Sequence, residues 1–136
     1  MNLEGLSFAN MPKFSTPLRF FISAPIFGLI ACLILLLPEI WFSRWQPSLI
    51  AMTHLLTLGF FVMIMFGAIT QVLPVLTGRG LNRVDKLAPR VHLFLLTSVL
   101  IFPLNFIIQD SFVLVLSLTP LLLALFIMLL SLAYLF

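Results

Sequence analysis

Charge is what this sequence has least of. Asp, Glu, Lys and Arg make up 8% of its 136 residues and apolar side chains 62%, whereas soluble chains run at about 25% charged and roughly 45–50% apolar. A water-soluble fold of this size would have too little polar surface to cover itself, which leaves the bilayer as its solvent. Cysteine is nearly missing: the single Cys32 excludes an intramolecular disulfide and any thiolate-rich metal site. Carboxylates number four and none lies deep inside an apolar run, which argues against a proton or small-solute carrier built on an intramembrane acid. There is also no glycine-rich phosphate loop, no nucleophile with a partnered base, no carboxylate cluster for a metal and no internal repeat. Nothing points to an enzyme that acts alone.

What the chain has in excess is long uncharged sequence. Four runs, 20–37, 49–76, 91–108 and 112–136, hold 18, 28, 18 and 25 residues without a charge when His is counted neutral. A helix crosses about 30 Å of hydrocarbon in about 20 residues, and the need to satisfy every backbone group in lipid leaves helix as the reading for such runs. The expected fold class is all-α: an integral membrane four-helix bundle forming a single transmembrane domain over 1–136, with helices at about 18–38, 48–77, 89–108 and 111–136. Pro47 and Pro89 stand where the second and third helices are expected to begin, and Ser111 is an N-cap candidate for the fourth. Pro38 closes the first run, while Pro25, Pro103 and Pro120 are read as kinks inside their helices. The 17-residue leader and the absence of a small-residue cleavage site mark the first run as a retained span and not a removable signal peptide. Ala24, Gly28 and Cys32 form a small-residue stripe on it, a packing face and a candidate oligomer face.

Four spans place both termini and the central loop on one side. That side carries Lys13, Arg19, Arg79, Arg83, Lys86 and Arg90, the other Arg44 alone. The asymmetry predicts cytoplasmic termini in a bacterial inner membrane, with Trp41, Arg44 and Trp45 at the periplasmic face, where the two indoles read first as an interfacial belt. The central loop reads as a topology determinant, with anionic lipid binding as the alternative. Nucleic acid is not an expected partner, because the charge sits at a membrane face with no recognition element.

Two histidines remain. His54 lies about six residues into the second run, roughly 9 Å below its periplasmic end. An ionisable group at that depth is a functional-site candidate, and neutral imidazole ligates metal and heme iron well. At 100° per residue Thr53, Thr57, Gly67, Ala68 and Gln71 fall on its side of the helix, with Phe61 and Met65 beneath it. Such a face suits tight helix packing or a flat apolar ligand edged by a ligating group. The alternative is a histidine that hydrogen-bonds a neighbouring helix. His92, at the cytoplasmic end beside Arg90, reads as a snorkelling interfacial residue. The two imidazoles are expected about 30 Å apart, too far to clamp one iron. A bis-histidine iron site at His54 therefore needs a second chain, and a two-fold axis along the membrane normal places two copies of His54 at equal depth.

The stretch from His54 through Gly67, Gln71, Pro74 and Gly78 (HLLTLGFFVMIMFGAITQVLPVLTG), followed by Leu87-Ala-Pro89-Arg90-Val-His92, resembles the second helix, loop and third helix of the heme-copper oxidase catalytic subunit, a superfamily that includes nitric oxide reductases. The similarity covers roughly residues 50 to 105. It implies that His54 matches the second-helix histidine that ligates the low-spin heme. The four spans hold no counterparts of the family's later histidines, which complete that pair, hold copper and bind the active-site heme, so oxygen reduction by this chain alone is not expected. The resemblance implies a small b-type heme protein, a homo-oligomer or a partner of other membrane redox subunits, serving electron transfer or diatomic gas binding near the periplasmic face. Thr57 and Phe61 would flank the heme, with Arg44, Trp41 and Trp45 near its propionates. The alternative reading is a cofactor-free structural or assembly subunit in which His54, Thr57 and Gln71 bridge helices.

Overall fold

The computed structural model describes residues 11–78 and 82–133. The leader before Met11, Arg79, the side chain of Arg83 and residues 134–136 of the expected fourth span lie outside the described residues. Those described are mostly helical, with no strand. Helix α1 covers Ser15–Ile34, a 3-10 turn covers Pro38–Trp41, α2 covers Pro47–Thr77, α3 covers Asn82–Ile108 and α4 covers Ser111–Ala133. Each of the four long helices is long and apolar enough to cross a membrane, as expected for a multi-pass membrane protein.

The ends follow local chemistry, with two departures from expectation. Pro47 is the first residue of α2, where the missing N–H costs nothing. The same helix ends at Gly78, which is left-handed (φ 66°) and donates its N–H to Pro74 O at 3.0 Å. By contrast, α3 begins at Asn82, so Pro89 sits inside it and not at its start. A proline there removes the bond to the carbonyl four residues back and crowds that carbonyl with its ring, yet flanking helix-forming residues carry the helix past it. At the last junction Asp110 does the capping expected of Ser111, its Oδ1 accepting the Phe112 N–H at 2.6 Å. Pro25, Pro103 and Pro120 are accommodated within their helices.

Helix α3 is the hub. It packs against α1, α2 and α4, and α1 packs along α2, whereas the close backbone contacts of α4 are with α3 alone among the described residues. The core runs through Phe20, Ala24, Phe27 and Ala31 of α1, Leu55 and Met63 of α2, Val91, Leu95 and Val99 of α3, and Ala124 and Met128 of α4. On α4 the buried Ser117, Ala124 and Ser131 recur every seven residues, a seam of small side chains that lets two helices approach closely. The Ser117 and Ser131 hydroxyls donate to Leu114 O and Ile127 O of their own helix, so neither requires a partner across the seam. The small-residue stripe of α1 is used inside the chain: Ala24 is fully buried and Gly28 lies under the Phe60 ring, while Cys32 is exposed.

From Leu55 to Val62 the second helix widens into a π-helical segment. Its buried positions explain why. Ala51, Leu55, Gly59, Met63 and Gly67 are all buried, one every four residues. In an α-helix of 3.6 residues per turn such a stripe rotates by about 40° at each step and soon leaves the core. The i→i+5 bonding of a π turn takes up more residues per turn, which cancels the rotation and keeps the stripe facing α1 and α3. Gly59 marks the crossing of all three helices: a Cβ there would stand 2.7 Å from Phe27 Cβ and 2.9 Å from Val99 Cγ1. Only a residue without a side chain fits.

Candidate functional site

His54 is the last α-helical residue before the π segment and is half-buried. Its Nδ1 lies 2.8 Å from Ile50 O. A carbonyl only accepts, so Nδ1 carries the proton and Nε2 the lone pair of the neutral ring. The ring stacks on Phe106 (centroids 4.7 Å, 26°) and meets Phe102 edge-on (5.0 Å, 69°). These two phenylalanines stand one turn apart on α3 and also meet each other edge-on, at 5.4 Å. Nε2 has no hydrogen-bond partner among the described residues and is not sealed from the surface. The imidazole is thus held at one nitrogen and on its faces, and open at the other nitrogen.

The surroundings correct the 100° projection. Thr53, Thr57, Phe61 and Met65 line the exposed side of α2 at intervals of four, in step with the buried stripe. Gly67 turns inward beneath Phe20 and Phe21, whereas Gln71 stays exposed, so no single face unites His54, Gly67 and Gln71. Nor do the polar side chains bridge helices: Thr57 donates to Thr53 O at 2.9 Å, Thr53 donates to Leu49 O, and among the described residues neither they nor His54 hydrogen-bond another helix. What crosses to α3 is aromatic contact.

Arg44, Trp41 and Trp45 share the end of the molecule where α2 begins. The Arg44 guanidinium sits over the Trp45 ring at 5.3 Å, a cation–π pair, and Trp41 is exposed. Trp45 approaches the histidine indirectly: with Pro47, Ile50, Asn105, Phe106 and Asp110 it lines a cavity of about 310 Å³, and Ile50 and Phe106 are the groups that hold His54. No hydrogen bond or ring contact joins Arg44, Trp41 or Trp45 to His54 itself among the described residues.

His92 is half-buried and tied to a second helix, ten residues into α3, which starts well before Pro89. Its Nε2 lies 2.8 Å from Ser23 Oγ, and that hydroxyl donates its one proton to Arg19 O at 2.9 Å. Nε2 is therefore the donor to Oγ, the tautomer opposite to that of His54. Phe20 meets the ring edge-on at 5.1 Å and 90°. His54 packs on Phe102 and Phe106, ten and fourteen residues beyond His92, so the two rings are separated by about 15–21 Å along α3 and not about 30 Å. They still cannot share one ion, and no group of three His, Cys, Asp or Glu gathers among the described residues.

The residues that escaped the sequence are Phe102, Phe106 and Ser23. Two of fifteen Phe at a spacing of four carry no signal in so apolar a chain. The period of four in Ala51, Leu55, Gly59, Met63 and Gly67 was legible and would have announced the wide turn. Compared with known proteins, the chain matches no family model, no curated protein and no solved structure.

Proposed function

We propose that this protein is a membrane-embedded b-type heme-binding subunit in which His54 is an axial ligand through Nε2. One observation carries the reading: Nδ1–H is spent on the Ile50 carbonyl while Nε2 keeps an accessible, unpartnered lone pair. Metal-ligating histidines are commonly oriented this way, the second ring nitrogen donating to a backbone carbonyl. The exposed Thr57 and Phe61 provide a flank beside it, and the resemblance of the 54–92 stretch to the low-spin heme helix of heme-copper oxidases points to the same residue. One chain supplies a flank and not a closed slot, which fits a heme covered by a second chain, either another copy contributing its own His54 or a different redox subunit. Bound there, heme would supply one-electron transfer, or diatomic gas binding where the sixth position stays open. Arg44 and the Trp indoles are the groups available to propionates at that end. Lys13, Arg19, Arg79, Arg83, Lys86 and Arg90 against Arg44 alone in the sequence support cytoplasmic termini in a bacterial inner membrane.

The test is an absorption spectrum of detergent-solubilised protein from heme-replete cells, oxidised and then reduced. The wild type and His92→Ala should show a b-type spectrum, and His54→Phe, which preserves the aromatic stacking, should be colourless. A full heme complement in His54→Phe refutes the ligand assignment. The second reading, a cofactor-free structural subunit, draws on the stacking of His54 against Phe106, which alone gives the ring a packing role. A colourless wild-type preparation favours that reading.

A further inference from the structure

At the end of the molecule opposite Trp45, where α1 and α3 both begin, Lys13, Ser15, Thr16, Arg19, Asp85 and Lys86 line a cavity of about 470 Å³. Every one of these residues is polar, in a chain where polar side chains are scarce. Thr16 is buried and donates its hydroxyl to Asp85 Oδ1 at 2.7 Å, which ties the two helix starts together and occupies one carboxylate oxygen. Arg19 is half-buried and is anchored through Nε to Ser15 O at 3.1 Å, which leaves its two terminal nitrogens to other partners. Three cations thus face one carboxylate that is already engaged, and no ion pair joins any of them among the described residues. The first turn of α1 adds its positive dipole end to the same space.

We infer that this cavity is a binding site for a phosphate group, supplied by the headgroup of an acidic phospholipid. The charge balance calls for an anion, and an anchored guanidinium beside two ammonium groups and a serine hydroxyl matches phosphate oxygens. Its level calls for a lipid. The cavity lies at the head of two helices whose following turns expose Ile22, Ile26 and Leu29 on α1 and Leu93 and Leu100 on α3, so acyl chains below it would meet apolar side chains. Phe14, 75% exposed just before α1, adds an aromatic ring at the same boundary. Arg90 lies on the same end of α3 and is exposed, but does not line the cavity, which makes it the internal control.

The experiment uses the full-length chain in phosphatidylcholine nanodiscs, with phosphatidylglycerol or with inorganic phosphate added. Native mass spectrometry counts the retained phosphatidylglycerol, and the thermal midpoint is read in parallel. Phosphatidylglycerol should be retained and should raise the midpoint, whereas inorganic phosphate should not. The exposed pair Lys13→Gln/Lys86→Gln should lower its affinity by roughly fivefold per cation removed, with Arg19→Gln acting in the same direction and Arg90→Gln leaving it unchanged. Equal retention by the double variant, or an equal loss in Arg90→Gln, overturns the site. A midpoint shift produced by inorganic phosphate, with no addition from phosphatidylglycerol, overturns the lipid as its source.

Discussion

The two histidines occupy similar positions and are used in opposite ways. His54 stands seven residues into α2 and His92 ten residues into α3, one near each end of the molecule, and each is half-buried. His92 spends Nε2 across a helix boundary, on Ser23 of α1. His54 spends Nδ1 on its own helix and reaches α3 only through the faces of Phe102 and Phe106. The first arrangement ties two helices together through the ring and leaves Nδ1 as the nitrogen without a hydrogen-bond partner among the described residues. The second fixes a ring in place and leaves a lone pair open. Depth made His54 alone a candidate; what the structure adds is the partner of each ring, Ser23 of a second helix for His92 and the Ile50 carbonyl of its own helix for His54.

Several changes break or sharpen this contrast. The largest effect is expected at Gly59, where α1, α2 and α3 cross beside the His54 segment. Gly59→Val should cost about 3 kcal/mol in reversible unfolding by SDS in mixed micelles, and should shift the His54 ring signals more than those of His92. An unchanged midpoint would show that the crossing has room to spare. Next, His92→Ala should cost about 2 kcal/mol, from a cavity beside Phe20 and the lost hydrogen bond to Ser23. His54→Ala should cost about 1 kcal/mol, the scale of its lost aromatic stacking. If the order of these two is reversed, the roles assigned to the rings are wrong. Ser23→Ala should cost less again, about 0.6 kcal/mol, as is usual for single hydrogen bonds between membrane helices. Smallest in energy but most direct, nitrogen-15 spectra of heme-free protein should show the proton on Nδ1 in His54 and on Nε2 in His92. The same tautomer at both would remove the contrast.

The sequence revealed the number of helices but not how they meet. Uncharged runs separated by charged or proline-bearing loops are enough to count four spans, because lipid imposes helix on any such segment. The start of α3 was hidden by Pro89, since a proline reads as a boundary although a helix can continue through it at the loss of one bond. That reading set His92 three residues into its helix, where it stands ten, and stretched its distance from His54. The face of α2 was misassigned from Leu55 onward because a constant 100° per residue ignores the wide turn that its every-fourth-residue core stripe demands. His54 was singled out by the cost of placing it in lipid, yet the pair of phenylalanines that position it belongs to another helix, and their spacing is common in such a chain.

The close backbone contacts of helix α4 are with α3 alone among the described elements. The crossing at Gly59 is built from Phe27 of α1 and Val99 of α3 against α2, with no residue of α4 in it. Prising α4 away would therefore uncover one side of α3 and leave the three-helix crossing with every contact it has.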